Sequence, residues 1–414
     1  RVRRRVPAAL AAAAGLAAAV GASCPRAPRQ PQLGDRRLFL APGRVLDAPP
    51  RLPPADADSK ELPGSQAAAG ASGPATAAGG GASGPATAAN LAKNIIGAGV
   101  LALPAGASQV VHEAQSVGVD HSAAIAGVVL LFSVFGVLNA VGFYLVGEVC
   151  ARTGAKTYQS AWSKTMGEGL AWVPSVASLI CCLTGTVACA SVIGDTTSDL
   201  LTAASGLALD AAGRSALLWG LSGGVLLPLC LLPSLAPLAF ASLLGLVGVG
   251  VLAAVMAVRY FDGSYLPGGE FNQVAAWHSE LFQGEGAPDQ SQAKVGLAGL
   301  AGHALIFMAV LSNAYSAHYN APTIYAELEE PQQAPGSRDR KLASFRDVTF
   351  AAFGFSGLLF LAVTLLGLET FGTALEPLVL NNYASGDHLA FVARVGLCLC
   401  VLFEFPLLER CFRS

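Results

Sequence analysis

The chain has 414 residues and a net charge of −2; 53% of its residues are hydrophobic and only 13% are charged. Soluble domains are about 25% charged, so the composition excludes an ordinary soluble protein and favours a chain that crosses a membrane several times. The near-neutral charge supplies no basic field, so we expect no nucleic-acid partner.

Residues 1–47 have the character of a targeting leader. The basic stretch RVRRRV precedes an Ala-rich apolar run and then small residues, and up to Arg51 there are ten Arg against two acidic residues. This pattern is typical of a signal followed by a transit peptide. It predicts delivery to an organelle membrane, such as that of a plastid; a vacuolar or plasma membrane is the alternative.

Residues 48–87 are rich in Pro, Ala and Gly, and the motif GASGPATAA occurs twice, at 70–78 and 81–89. So few large apolar side chains cannot form a core, which predicts a disordered linker. The remaining residues, 88–414, form the predicted transmembrane domain.

This domain contains eight apolar segments, each near or above the length of about 20 residues that crosses a bilayer. In chain order they cover 89–111, 123–151, 171–194, 215–232, 236–259, 295–326, 347–372 and 388–408. The loops between them alternate in charge, with nine Lys and Arg on one side against three on the other. The positive-inside rule then places the start of the first segment on the cytosolic or stromal side.

The first segment contains its own helix breakers. Its sequence, NLAKNIIGAGVLALPAG, includes Gly97, Gly99 and Pro104, and it carries the charged Lys93. Backbone groups freed in a membrane helix are tolerated only where they are buried in protein or line a cavity. Secondary transporters use such broken helices to bind substrates and ions, so the breakers predict a binding site.

The sixth segment is interrupted in a similar way. Polar residues crowd its centre in FMAVLSNAYSAHYNAPTIYAELEEP, and Pro322 follows them. The two interrupted segments are five apart, as two inverted five-helix repeats require.

Four stretches resemble the amino acid/auxin permease family of the amino acid–polyamine–organocation superfamily. They are NLAKNIIGAGVLALP, PLCLLPSLAPLAFASLLG, YSAHYNAPTIYAEL and ARVGLCLCVLFEFPLLERCFR, in the order expected of that family over residues 85–414. The resemblance implies an all-α membrane protein with eleven spans in a leucine-transporter-like fold, broken in helices 1 and 6. Since only eight segments are present, we expect a chain truncated at its C-terminal end.

The resemblance also implies a secondary active transporter of amino acids that works by alternating access. We expect the backbone of Gly97, Ala98 and Gly99 to receive the substrate carboxylate, since a helix N-terminus favours an anion. The polar cluster Asn313, Tyr315 and Ser316 is expected to receive the amino group. The alternative for Asn313 and Ser316 is hydrogen bonding between helices.

The expected coupling ion is the proton. Sodium-coupled members of the family resemble one another in having a neutral polar residue where this chain has Lys93, and often Ser or Thr where it has Glu404. We therefore expect Lys93 and Glu404 to form a pair that replaces bound sodium, with Glu404 as the proton carrier; the alternative is that both side chains snorkel to the interface. His318 is either a proton relay or a packing residue.

No metal site, cofactor or enzymatic motif is expected. The series Gly97-Ala98-Gly99-Val100-Leu101-Ala102 matches G-x-G-x-x-A in form, but Pro104 cuts the helix that a dinucleotide site requires. A repeated filter or charge ring typical of channels is also absent from the sequence. A sodium-coupled transporter and a non-transporting amino acid sensor with the same fold remain the alternatives. The expected partners are a small amino acid and the lipid bilayer.

Overall fold

The computed structural model describes residues 83–206, 209–231, 236–266, 268–272, 296–328 and 337–413, and within these ranges side chains 203, 236–244, 337 and 406–413 are left out. The predicted leader and most of the predicted linker lie outside the described residues.

Helices form the whole of the described architecture, and no β-strand occurs in these ranges. In chain order the helices are α1 (Gly84–Ile95), α2 (Leu103–Ser116), α3 (His121–Thr153), α4 (Tyr158–Met166), α5 (Trp172–Ser205), α6 (Ala211–Leu221), α7 (Leu227–Cys230), α8 (Ala236–Asp262), α9 (Leu297–Ala314), α10 (Ala321–Glu327), α11 (Ser337–Phe371) and α12 (His388–Arg413). The all-helical class predicted from the sequence is therefore confirmed for the described residues.

Helix α1 begins inside the last residues of the predicted linker. Pro85 occupies the first turn, where its missing N–H would have no intrahelical partner in any case. The Thr87 hydroxyl donates to the carbonyl of Ser83 at 3.0 Å and closes that turn. Local signals at this end thus start the helix a turn before the apolar run.

Among the described residues, six helical stretches are long and apolar enough to cross a membrane, and α1 with α2, bent by 55° relative to each other, make a seventh if the pair is counted as one span. Seven of the eight predicted segments correspond to these stretches. The fourth, 215–232, falls on α6, a π-helical turn at Ser222–Leu226 and α7, which follow one another without a gap and with helical backbone at each junction, but this stretch is not among those of membrane length. The total of eight spans, the inverted repeat and the truncation at the C-terminal end stay predictions.

The bundle has two strongly packed groups. Helix α12 packs against α8 and α5, and α11 packs against α3, α1 and α2. Helices α3 and α11 are antiparallel: His121 lies 3.2 Å from Glu369 at one end, and Gly147 lies against Phe345 towards the other. The break between α1 and α2 therefore lies inside the bundle, in contact with α5, α9 and α11.

Candidate functional site

The first interrupted segment breaks at the glycines that the sequence singled out. Helix α1 ends at Ile95, and Gly97 is extended, with φ −136° and ψ −158°. A 3₁₀ turn then runs from Ala98 to Leu101, before α2 begins. Pro104 lies in the first turn of α2, so it starts the second half of the segment rather than kinking the first.

A carboxylate from α12 lies directly on this break. The N–H of Ala98 donates to Oε2 of Glu404 at 3.3 Å. A side chain on Gly97 would overlap that carboxylate, since a Cβ there would lie 2.7 Å from its Cδ and 2.8 Å from its Oε2. Gly97 is thus required by the close approach of Glu404 rather than by its own backbone angles, which any residue can adopt.

Lys93 lies on α1, one turn before the break, and is half-buried. It is within electrostatic range of both Glu404 and Cys400. The two charged groups are close without being in contact: among the described residues, no nitrogen–oxygen ion pair within 4.0 Å joins them. The structure thus places the predicted partners around one break, at a distance longer than a salt bridge.

The two interrupted segments meet at their breaks. A Cβ on Gly99 would lie 3.4 Å from the Cα of Ala314, the last residue of α9. After Ala314 the chain leaves the helix, passes through a 3₁₀ turn at His318–Asn320 and enters α10. The backbone of both breaks is therefore brought together inside the bundle.

The three residues of the predicted polar cluster in the sixth segment differ in exposure and in the neighbours that they contact. The Asn313 side chain is exposed, whereas the Tyr315 ring is buried and stacks near Phe353 and Phe360, at centroid distances of 6.1 and 5.4 Å. Ser316 turns towards α5, where its Oγ lies 3.1 Å from Sγ of Cys181. The three side chains therefore have different surroundings and do not form one shared polar site.

His318 is enclosed by α3 and α11. Its Nε2 lies 3.1 Å from the carbonyl oxygen of Asn139, and its ring lies edge-on to Phe143 at 6.0 Å. Because a carbonyl oxygen can only accept, Nε2 carries the proton and donates it. A histidine that donates to a backbone carbonyl and packs against aromatic rings matches the alternative of a packing residue. The proton relay stays a prediction.

Two contacts at the breaks join side chains whose pairing the sequence did not predict. The Asn320 side chain donates to Oδ1 of Asn94 at 3.0 Å, which links α1 to the turn before α10. The other is the contact of Ser316 with Cys181, a residue for which the sequence indicated no role. Neither contact has a sequence signal of its own, because each depends on the rotation of one helix relative to another.

A second polar cluster joins α8 to the start of α12. Asp387 is fully buried and accepts from Nε of Arg259 and from the Tyr265 hydroxyl, both at 2.9 Å. Burial alone would raise the pKa of Asp387, but the hydrogen bonds from Arg259 and Tyr265 outweigh it and the pKa is lowered. This cluster is distant in sequence from both breaks and has a structural role.

Arg394 lies early in the eighth segment, a position from which we would expect it to anchor the helix near the outer interface. It is buried and donates to the backbone carbonyls of Leu380, Tyr383 and Ala384. It therefore holds the loop before α12 in place. Within the described part of the chain, no group of three or more His, Cys, Asp or Glu side chains is arranged to hold a metal ion.

These features define a class of protein. In the described ranges, six or seven stretches are long and apolar enough to cross a membrane, two of the segments are interrupted, and the half-buried carboxylate of Glu404 lies where their breaks meet. Irregular backbone of this kind at membrane depth is characteristic of proteins that bind small solutes there. The chain is thus a multi-pass membrane protein with two interrupted segments that meet inside the bundle.

The family described as transmembrane amino acid transporter protein matches residues 80–411, and the chain belongs to this family. Sodium-coupled neutral amino acid transporter 7 of Homo sapiens is similar, with 23% identity over 177 residues, which is 42% of this chain and 31% of that protein. The proteins of the same name from Rattus norvegicus and Bos taurus match at the same identity and coverage. The matched region thus spans 31% of the length of these relatives.

Proposed function

We propose that the protein is a secondary active transporter that carries amino acids across a membrane by alternating access. The observation that carries this proposal is the meeting of the two breaks at Gly99 and Ala314, in a chain that belongs to an amino acid transporter family. Alternating access requires a site that both sides of the bundle can reach, and broken helices at the centre of the bundle supply one.

The substrate site is formed mainly by backbone. The N–H groups at Ala98 and Gly99 begin the second half of the first segment, where the helix dipole favours the substrate carboxylate. The freed carbonyls between Ala314 and Ser316, with the Ser316 hydroxyl, are acceptors for the ammonium group. Because this scheme reads only the groups shared by all amino acids, neutral amino acids are the first class to test; auxin-like acids and small amines are the second.

The proposed coupling ion is the proton. A lysine and a carboxylate near the same break supply opposite charges without a bound cation, and the half-buried Glu404 on the N–H of Ala98 is the group to carry the proton. Sodium coupling is the second candidate, favoured by the name of the matched relatives. The target membrane is proposed to be that of an organelle, with α1 beginning on the cytosolic or stromal side.

The test is uptake into liposomes that contain the complete protein. A tritiated mixture of L-alanine, L-leucine and L-glutamine is offered with an inward proton gradient and no sodium, and then with an inward sodium gradient and no proton gradient. We expect accumulation in the first condition, abolished in Glu404→Gln. Glu168→Gln is the matched control, because Glu168 is exposed and lies in the turn before α5, away from the breaks.

The outcomes separate the candidates. Accumulation that requires sodium would keep the transporter and overturn the proton assignment. Saturable binding of the labelled amino acids without accumulation in either gradient would favour the sensor. Accumulation that is equal in Glu404→Gln and the wild type would remove Glu404 from the coupling.

A further inference from the structure

One N–H group at the first break has two possible partners. The proposed function requires the N–H of Ala98 for the carboxylate of the amino acid. In the structure this N–H already donates to Oε2 of Glu404, at 3.3 Å. A carboxylate of the protein therefore occupies the place that a carboxylate of the substrate would take.

The contact is built into the fold. Glu404 reaches the backbone of the break only because Gly97 has no side chain; a Cβ there would lie 2.7 Å from the carboxylate carbon. Helix α12 is itself held by close packing, since a Cβ on Gly245 of α8 would lie 3.1 Å from the Cα of Cys400. Cys400 is one turn from Glu404, so the position of the carboxylate is fixed by the packing of α12.

We infer that Glu404 is an internal ligand of the substrate site, and that its ionised carboxylate and the substrate carboxylate exclude each other at the N–H of Ala98. This inference rests on the proposed function and adds the order of events. Two anions cannot share one donor, and at this depth their repulsion is weakly screened. When Glu404 takes up a proton, it becomes a weaker acceptor and releases the N–H.

The charges around Glu404 support the exclusion. Within the described residues, the titratable groups in electrostatic range of it are Lys93 on α1, Cys189 on α5 and Cys400 on α12. Lys93 is the only cation among them and is already the counter-charge of Glu404. The ammonium group of the substrate is bound at the second break, so the two carboxylates still repel each other at the shared N–H of Ala98. Substrate binding is therefore accompanied by uptake of one proton from solution onto Glu404, and substrate release by its loss.

The consequence is a specific dependence of affinity on pH. When Glu404 is ionised, it must take up a proton before an amino acid can bind. The affinity for the amino acid therefore falls by up to about tenfold per pH unit above the pKa of that carboxyl in the free protein. Replacing Glu404 by Ala removes the competitor. That variant binds the amino acid with one affinity at every pH, equal to or tighter than that of the wild type at low pH.

The experiment measures equilibrium binding of tritiated L-alanine, L-leucine and L-glutamine to the complete protein in nanodiscs between pH 5.5 and 8.5. Wild type, Glu404→Ala, Glu404→Gln and the control Glu168→Gln are compared, and each must elute as a single species in size-exclusion chromatography. The Gln variant keeps the shape of Glu404 if Ala weakens folding. A pH-sensitive dye in weak buffer reports about one proton taken up per amino acid bound, as linkage requires.

We expect wild type and Glu168→Gln to lose affinity as the pH rises and to take up a proton, and both Glu404 variants to show neither effect. A Glu404 variant that binds more weakly than the wild type at every pH, or keeps its pH dependence, would overturn the inference while uptake by the wild type upheld the transporter. Absence of both binding and uptake in the wild type would overturn the proposed function together with the inference.

Discussion

Tyr315 shows how single atoms decide the direction of a side chain. Its hydroxyl lies between two helices at positions without side chains: a Cβ on Gly136 of α3 would lie 3.3 Å from the hydroxyl oxygen, and one on Gly357 of α11 would lie 2.7 Å from it. The ring is thus directed between α3 and α11. Its buried edge sets the distance between these helices at the level of the second break.

Substitution Gly357→Ala is expected to destabilise the protein by about 1–3 kcal/mol, the usual cost of overpacking a closely packed core. The new methyl group would lie 2.7 Å from the Tyr315 hydroxyl oxygen but 3.7 Å from Cζ, which is an ordinary contact distance. Tyr315→Phe removes that oxygen, so we expect it to restore most of the loss. The measurement is the midpoint of thermal unfolding in detergent for both single variants and the double variant.

The matched control lies on the same helix. Gly354 has open space where a Cβ would be placed, so Gly354→Ala is expected to leave the midpoint unchanged or to raise it, because Ala favours helix over Gly by about 1 kcal/mol. Equal losses in Gly354→Ala and Gly357→Ala, or no relief from Tyr315→Phe, would show that the hydroxyl does not limit the space at Gly357.

At the scale of single residues, the sequence predicted where the helix is interrupted better than it predicted which neighbours each side chain contacts. Gly97 and Pro104 predicted the position of the first break because glycine is a poor helix former and proline is tolerated only in the first turn of a helix, whatever their neighbours. Tyr315, Asn313 and Cys181 could not be placed, because their partners are set by helix rotation and by glycines on distant segments. The approach of Glu404 to Gly97 is of the same kind, since 306 positions separate Ala98 from Glu404.

At the scale of helices, Asp387 ties α8 to the beginning of α12. Besides accepting from Arg259 and Tyr265, it accepts from the N–H of Leu389 at 2.9 Å. One carboxylate thus caps α12 and holds the end of α8, which are the two helices that pack most extensively against each other. Because Glu404 projects from α12, this tie also positions the candidate site at its other end.

Asp387→Asn is expected to cost about 3 kcal/mol of stability, the lower end of the range for breaking a buried ion pair. The lower end applies because Asp262 stays beside Arg259 at 2.9 Å and keeps the guanidinium accompanied. The measurement is again the unfolding midpoint at neutral pH. The control is Asp347→Asn, which removes an exposed pair with Arg346 and should cost no more than about 1 kcal/mol.

The same pair predicts a pH dependence with a definite sign. The pKa of Asp387 is lowered in the folded protein, chiefly because the hydrogen bonds from Arg259 and Tyr265 outweigh burial, which acts in the opposite direction. A lowered pKa gives stability that is complete above the unfolded pKa of about 3.9 and is lost as the pH falls through the folded value. The gap between wild type and Asp387→Asn should thus stay constant from neutral pH down to about 5. A gap that closed between pH 7 and 5 would contradict the lowered pKa.

For the whole molecule, the number and order of long apolar segments was predictable because a bilayer demands a minimum length of apolar helix. Seven of the eight segments correspond to membrane-length stretches in the structure. The fourth is not among them, although α6, the π-helical turn Ser222–Leu226 and α7 form one continuous helical stretch. The π-helical turn itself could not be predicted, because it is a local change within a helix that the hydrophobic pattern does not mark.

The orientation of the bundle connects loop charge with helix packing. The antiparallel contact of α3 and α11 places the end of α3 and the start of α11 on one side, and it places the loop between α11 and α12 on the other. Lys156 and Arg340 lie on the first side, which is the side rich in basic residues. Charge and packing, which are independent, thus divide these loops in the same way.

Single cysteines at Lys156, Arg340 and Gly386 test this arrangement; all three positions are exposed, and Gly386 has open space around it. In sealed vesicles of one orientation, a membrane-impermeant maleimide should label Lys156→Cys and Arg340→Cys from the same side and Gly386→Cys only from the opposite side, because the antiparallel packing of α3 and α11 places the first two positions at the same end of the bundle. The protein with its native cysteines measures the background. Labelling of Lys156→Cys and Arg340→Cys from opposite sides would contradict the antiparallel arrangement, whereas a common side opposite to the cytosolic or stromal one would keep that arrangement and reverse only the predicted orientation.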